Sequence, residues 1–401
     1  MIHCMMAKEY SLYAEQEIKH ICENFKDRYA GSKTELAANQ YLEGQIKSNN
    51  WADWVQMQSF KVQPHAFMLF SKVIPIMMII AAALFFLVPI ASLALSALSL
   101  FFLFTQLIFY WEVLDFFLPK KYSHNLVATK RPAGKVKRRI IFGGHIDAAF
   151  EWSLFVWFGH IIAKIISVIS VIGILFTLAI SIVIVSGVAD HWWMYIAVGW
   201  YAVAYLAIFF FSNFNKVVDG ANDNMTGTMV SVAILKYMAE NNLAFENTEV
   251  ISLITGSEEA GLRGAKAFVK TNQTLLRDPD VETVFIALET FRDDDHFAIM
   301  TKDMNGLVRA DKRAINLLDK ACTELLDNPL PHKSIPLGSS DAAAFSKGKI
   351  PAVCLAAMNP RPSRFYHTRY DTADNLDVNC IQKAFDICVK SLEIFDKNGL
   401  L

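Results

Sequence analysis

The sequence predicts an α/β protein in which one domain, built on a largely parallel or mixed central sheet, is interrupted by four transmembrane α-helices. Three observations carry this expectation. The 401 residues are 54% hydrophobic and only 19% charged, too apolar a balance for a purely soluble chain. The apolar excess is concentrated in two blocks. Outside them, strand-like runs alternate with segments of helical apolar spacing, the order of a sheet covered by helices on both faces.

The first block runs from Val73 to Trp111 without a single Asp, Glu, Lys or Arg, about twice the roughly 20 residues that one spanning helix needs. It reads as a hairpin turning near Pro89. The second block pairs Ile165 to about Val188 with Trp192 to about Phe214, broken at "ADHWW". Trp111, Trp157, Trp192, Trp193 and Trp200 fall near the ends of these runs, where interfacial aromatics collect. The preceding piece, "EWSLFVWFGHIIAK", carries Trp152, Phe155, Trp157, Phe158 and Ile162 with few polar positions. It is expected to lie in the membrane interface, with His160 at the headgroup level and Lys164 snorkelling.

Residues 1–66, 119–153 and 214–401 then form one discontinuous domain. Residues 67–118 form the first transmembrane hairpin, and 154–213 the interfacial segment plus the second. The connection between the hairpins holds Lys120, Lys121, Lys130, Arg131, Lys135, Lys137, Arg138 and Arg139, whereas the tight turns on the other side hold no Lys or Arg. This asymmetry predicts an integral, multi-pass protein whose soluble pieces lie in the cytoplasm. A net charge of −1 and the lack of a basic stripe point away from nucleic acid. Cys4, Cys22, Cys322, Cys354, Cys380 and Cys388 form no CxxC pair, so reduced thiols are expected.

Each soluble element has its own signal. "TELAANQYLEGQIKS" spaces its apolar residues as a helix does, and "VQMQSFKV" alternates like a half-buried strand. "HNLVATK" and "RRIIFGG" read as successive strands joined by the turn-like "RPAGK". A helix at "MVSVAILKYMAE", a strand at "TEVISLIT", a helix at "LRGAKAFVK" and a strand at "TVFIALE" follow. A long helix near "LVRADKRAINLLDKACTELL", a strand at "IPAVCLA" and a last helix at "IQKAFDICVKSLEIFD" complete the order.

The acids and histidines with chemical promise sit where strands end. "GGHID" supplies His145 and Asp147, "DGANDNMTG" supplies Asp223, "ITGSEEAGLRG" supplies Glu258 and Glu259, "FIALET" supplies Glu289 and "YHTRYDTADN" supplies His367. In open α/β sheets the site forms beyond the carboxyl ends of the strands, so scattered segments can converge there. Two histidines and three carboxylates suit two zinc ions about 3.5–4 Å apart with a bridging carboxylate and water. The charges balance: two Zn²⁺ against three carboxylates and a hydroxide, a neutral set that can persist in a partly desolvated cleft. Asp147 is placed to accept the other ring N–H of His145 and fix the imidazole.

The order His-x-Asp, Gly-Ala-x-Asp-Asn, Gly-Ser-Glu-Glu-x-Gly-x-x-Gly, a strand-end acid and Tyr-His-Thr-x-x-Asp-Thr resembles the co-catalytic zinc exopeptidases of metallopeptidase clan MH. The likeness is to the family of leucyl aminopeptidases, aminopeptidase Y and glutamate carboxypeptidase II. "RYAGSKTELAANQYL" and "GSSDAAAFSKGKIPAV" support it, and it covers nearly all of the soluble sequence but not the four spans. The resemblance implies a three-layer α/β/α domain and a peptidase with two Zn²⁺, other divalent metals being admissible. It implies His145, Asp223, Glu259, Glu289 and His367 as metal ligands, Asp223 bridging, and Glu258 as general base with Asp147 in support. Glu289 stands where the family commonly has Asp. Asp341 and Asp371 also match family positions and read either as support for the ligands or as caps and turns; Asp219 reads as a loop residue.

The expected substrate is a peptide, either an ordinary soluble one or a hydrophobic, membrane-derived one, cleaved as an aminopeptidase would. Glutaminyl cyclisation or N-acyl amino acid hydrolysis on the same fold, and a non-catalytic membrane receptor, are the alternative readings. Cyclases of this group use one zinc, and His145 with Asp147 argues for two.

Overall fold

The computed structural model describes residues 2–326, 329–359 and 365–401. In chain order, α1 (Ile2–Asn24) and α2 (Lys33–Ser48) precede β1 (Trp54–Val62), α3 (Phe70–Phe85) and α4 (Pro89–Phe102). Then come β2 (Lys121–Lys130), β3 (Arg138–His145), β4 (Phe150–Glu151), α5 (Ser153–Val185), α6 (Trp192–Phe209) and β5 (Asn213–Val217). The chain continues through α7 (Thr226–Glu240), β6 (Thr248–Thr255), α8 (Arg263–Thr271), α9 (Gln273–Leu276), β7 (Glu282–Phe291), β8 (Phe297–Asp303) and β9 (Val308–Arg309). It ends with α10 (Lys312–Leu326), β10 (His332–Ser334), α11 (Asp341–Lys347), β11 (Ala352–Ala357) and α12 (Val378–Asn398).

The main sheet is mixed, ordered β1-β2-β6-β3-β7-β11-β8-β10 with β9 on β8. Its centre, β6-β3-β7-β11, is parallel, while β1, β2 and β8 pair antiparallel to their inner neighbours. Alternate residues of each central strand face opposite sides, as the pleat requires. Ile140 and Phe142 of β3 join the core under α1, α7, α10 and α12, whereas Ile141 joins the one under α8 and α11. The three-layer α/β/α expectation holds. Helix α1, which buries Tyr10, Ala14, Ile18 and Ile21 at helical spacing, and the strands β8 and β10 are additions to the expected order. The long helix expected from Leu307 starts only at Lys312, because Val308–Arg309 pair with β8 instead.

Helix α7 lies close on the strands. A side chain at Gly227 would run into the Leu288 carbonyl, and one at Gly144 into the Gly227–Thr228 backbone. Hydrogen in both places brings the start of α7 down onto β3 and β7.

Both apolar blocks form antiparallel helix pairs, α3–α4 and α5–α6. Among the described residues, three helical stretches are long and apolar enough to cross a membrane: Pro89–Ile108, Ser153–Val185 and Trp192–Phe209. Helix α3, at 16 residues, covers roughly 24 Å, short of the ~30 Å of a hydrocarbon core. Gly159, at φ +72°, breaks α5, so the segment expected in the interface is a separate first turn joined to a longer helix. His160 stacks edge-on against Phe155.

The pairs are fastened to the domain at their roots. Lys72 of α3 donates to the Ser212 carbonyl (2.6 Å) and to that of Phe209, a cation on the exposed carbonyls at the end of α6. His65, Phe150 and Phe214, from three root segments, pack with ring centroids 5.1–5.2 Å apart. The exit of the first pair is held by Asn305 on the Leu107 carbonyl (2.8 Å), Lys266 on the Tyr110 carbonyl (2.8 Å), and Arg263 on Glu112 and Asp115 (both 2.7 Å).

Arg28, 1% exposed, donates to the carbonyls of Phe25 (3.0 Å), Ile146 (3.1 Å) and Asp219 (2.5 Å), joining both ends of the second insertion. Arg28→Met would remove three hydrogen bonds, one of them fully buried, and should cost about 3 kcal/mol. A clear drop in melting temperature of the detergent-solubilised protein is the expected reading.

Candidate metal centre

The parallel centre of the sheet decides where the site residues meet. His145 is the last residue of β3 and pairs with Thr255, the last of β6. Gly143 pairs with Ala287 of β7, which sets Glu289 level with His145 on the adjoining strand. After Thr255 the chain turns sharply, with Ser257 and Leu262 at φ 57° and 62°, carrying Glu258 and Glu259 over the strand ends. Asp223 arrives from the segment before α7, beside a cis Asp223–Asn224 peptide. His367 arrives from the loop after β11.

All six predicted side chains converge. Asp223 lies between the imidazoles, Oδ1 3.4 Å from His145 Nε2 and Oδ2 3.1 Å from His367 Nε2. Glu259 Oε1 is also 3.1 Å from His367 Nε2. Glu258 Oε2 and Glu289 Oε2 lie 3.7 and 4.0 Å from His145 Nε2. Among the described residues, three groups have ligand atoms within 4.8 Å of one another: His145–Asp223–Glu289, Asp223–Glu259–His367 and His145–Glu258–Glu259. The first two share Asp223.

Among the described residues, no salt bridge joins the acids of the cluster to a lysine or arginine, and their only cationic partners are the two imidazoles. Burial pushes the carboxyls of Glu258 and Glu289 well above the usual range against the pull of His145, and raises Glu259 against that of His367. Burial would lower His367, but Glu259 and Asp223 beside it push it up to about 10. His145 is likewise raised: burial would lower it, but Glu258, Asp147 and Asp223 together push it up. Asp223 Oδ2 and Glu259 Oε1 are buried and make no hydrogen bond among the described residues despite their closeness to His367. Two carboxylate oxygens aimed at one imidazole nitrogen gather around a proton in the metal-free protein and fit a divalent cation such as zinc once that proton leaves. Two imidazoles with carboxylates are a matching donor set.

The supporting residues partly differ from expectation. Asp147 was expected to take the His145 ring N–H on its carboxylate. Instead the Asp147 main-chain carbonyl sits 3.0 Å from Nδ1 and the carboxylate stands off at 3.5 Å. A carbonyl can only accept, so Nδ1 carries the proton and Nε2 is free to ligate. The Asp147 carboxylate is used elsewhere, accepting the N–H groups of Glu258 (2.9 Å) and Glu259 (3.0 Å).

Behind them Glu35, fully buried, accepts from Ser257 N (2.8 Å), Ser257 Oγ (3.1 Å), Ser123 Oγ (3.0 Å) and Gly31 N (2.8 Å). Three successive amides of the Glu258 turn thus rest on two buried carboxylates. Sequence reasoning missed Glu35, although it lies in the quoted "RYAGSKTELAANQYL"; an acid at helical spacing in an amphipathic segment looks solvated. Asn224 was missed too: it donates to the Leu288 carbonyl and to Glu289 Oε2, both at 2.8 Å.

Asp371 accepts from Asn222 N and Nδ2 (both 2.8 Å) and Asp223 N (3.1 Å), so it shapes the Asp223 loop; burial and the Asp223 charge push it up to about 7. Asp341 opens α11 and accepts from Thr255 Oγ1 at 2.5 Å. Asp219 stays outside the cluster, its carbonyl spent on Arg28.

A model of Peptidase family M28 matches residues 182–392, more than half of the chain. The chain belongs to peptidase family M28. The matched stretch holds Asp223, Glu258, Glu259, Glu289 and His367; His145 and Asp147 lie before it. No curated protein matches the sequence significantly. Among solved structures, the fold is similar to that of the aminopeptidase from Aneurinibacillus sp. strain AM-1, at 15% identity and a TM-score of 0.58, covering 98% of this chain and 95% of that one. It is similar to BSAP, a zinc aminopeptidase from Bacillus subtilis, at 12% identity and 0.57, covering 95% and 94%. A glutaminyl cyclase from an Acidobacteriales bacterium is alike at 12% identity and 0.57, covering 97% and 96%. At such identities the likeness concerns the fold, and this M28 chain has the fold of the zinc aminopeptidases.

The His367 shift sets a pH dependence. A raised imidazole stabilises the folded state fully below about 6.5, and that contribution is lost as pH rises toward about 10. Metal-free protein should therefore melt at lower temperature as pH climbs through this window. Added zinc should restore stability most at the alkaline end, where no proton has to leave first. A metal-free melting temperature that rises across the window would contradict the assignment.

Proposed function

We propose that this M28 protein is a membrane-embedded di-zinc metallopeptidase, acting as an aminopeptidase of the leucyl aminopeptidase type. The observation that carries the reading is the pair of ligand groups sharing Asp223, with Glu258 beside them. His145, Asp223 and Glu289 would hold one zinc, and Asp223, Glu259 and His367 the other. When bound, the ions would supply Lewis acidity and lower the pKa of a shared water.

Glu258 then acts as general base and acid. Burial favours its protonated form, and His145 close by favours the charged one, so the carboxylate can take the water's proton and return it to the leaving amine. The amides of Glu258 and Glu259 on Asp147, and that of Ser257 on Glu35, hold the base still during transfer.

Glu258→Gln should keep its zinc and lose about 10²–10⁴-fold in turnover of aminoacyl amides. Asp223→Ala should lose zinc as well, measured by elemental analysis. Likeness to glutaminyl cyclases supports a second reading, cyclisation of N-terminal Gln. Two half-sites favour hydrolysis over it, and mass spectrometry of a peptide library separates cleavage from loss of ammonia.

Four spans follow if residues flanking α3 extend its apolar stretch; the three longer helical stretches support membrane insertion directly. The lysines and arginines between the hairpins support a cytoplasmic domain assembled from residues 1–66, 119–153 and 214–401. The lipid bilayer is then a partner, and a centre rooted at the spans supports a hydrophobic or membrane-derived peptide as substrate. Protease added outside intact cells or spheroplasts should leave the domain whole and cut it in inverted vesicles; cleavage from outside would reverse the orientation.

A further inference from the structure

We propose that Glu151 and Trp152, the last residues before α5, are positioning residues for His367, so that the pose of the second helix pair sets the geometry of one half of the metal centre. This rests on the metallopeptidase reading above.

Three contacts join the segments. The Trp152 N–H donates to the His367 carbonyl at 2.8 Å. The Trp152 indole meets the His367 imidazole edge-on, centroids 4.5 Å apart and planes at 77°, while Tyr366 stacks on the same imidazole at 3.9 Å and 20°. Glu151 receives Arg369 in a two-toothed pair, Nε to Oε2 at 2.7 Å and Nη2 to Oε1 at 2.9 Å. Ser153 Oγ adds a donor to Oε1 at 2.8 Å. Glu151 is only 2% exposed, so this pair is anchored on one side in a way that ordinary surface ion pairs are not.

His367 needs this support more than His145 does. The Nδ1 of His145 faces the Asp147 carbonyl, but the buried Nδ1 of His367 has no hydrogen-bond partner among the described residues. A ligating imidazole without a partner on its other nitrogen is oriented by packing. The packing comes from Tyr366 and Trp152; Trp152 in turn meets Tyr366 at 5.5 Å, Phe155 of α5 at 5.2 Å and Phe211, two residues beyond α6, at 4.9 Å. A shift of α5 against α6 therefore moves Trp152, and with it the His367 ring.

The test uses the full chain in detergent or lipid nanodiscs, with zinc affinity by chelator competition as the main readout and kcat and KM on an aminoacyl amide as the second. Trp152→Ala should weaken one of the two zinc ions about 10-fold or more and lower kcat while KM stays within about threefold. Trp152→Phe, which keeps an aromatic edge, should remain within about threefold of the parent in both.

Glu151→Gln, Arg369→Gln and the double variant form a cycle. Each single change should weaken zinc by a similar factor, and the double should be no worse than either. Parent-like zinc affinity in Trp152→Ala, or a double variant as weak as the product of the singles, overturns the proposal. If Trp152→Ala fails to fold, the cycle decides alone. Because zinc affinity is read without turnover, an inactive parent would count against the peptidase reading and leave the positioning role open to judgement.

Discussion

The whole arrangement depends on one electrostatic constraint: four carboxylates and two imidazoles are brought into a buried space where, among the described residues, no salt bridge from a lysine or arginine reaches them. Asp223, Glu258, Glu259 and Glu289 crowd around His145 and His367. Burial and mutual repulsion drive most of the acids toward protonation and hold the imidazoles charged. Such a cluster is stable only with a source of positive charge, either protons or a divalent cation. The surrounding structure accordingly spends its strongest interactions on keeping the cluster in place.

Those interactions form a shell of buried acceptors and donors. Asp147 and Glu35 hold the amides of the Glu258 turn, Asp371 holds the Asp223 loop, and Asn224 ties Glu289 to the start of α7. The close seating of α7 through Gly144 and Gly227 brings Asp223 within reach of both histidines. Each helix pair starts and ends in this shell. Phe67 and Tyr110, at the roots of the first, pack with Leu262 of the Glu258 turn. The roots of the second lie next to Asp147 and Asp223 and brace His367. The contacts from the helix roots to the cluster are thus short ones.

Much of this was legible in the chain. The apolar periods of β3, β6, β7 and β11 and of α2, α7, α10 and α12 stood out because central strands and their covering helices are the most hydrophobic parts of an α/β fold. The six cluster residues were legible because each sits in a short motif of its own, at the end of a strand for His145 and Glu289, in an acidic turn for Glu258 and Glu259, and in a loop for Asp223 and His367. Less visible were elements whose stability is supplied by neighbours: β8, β10 and the two-residue β4, which exist through pairing rather than propensity. The length of α3 and the break at Gly159 were also hidden, since hydropathy sees an apolar run and not where a helix starts or bends.

Residue chemistry and order by themselves determined the α/β plan, the two apolar insertions and the identity of the clustered acids and histidines, because periodicity and strand-end motifs are local properties. Only the tertiary structure decided how the support is shared out. Asp147 turns its carbonyl rather than its carboxylate to His145, Glu35 reaches across from α2 to a turn more than two hundred residues away, and Trp152 presses on His367. Which of several equally capable polar groups serves a given N–H depends on direction and distance after the sheet, the helices and the insertions have packed, and no spacing along the chain encodes that.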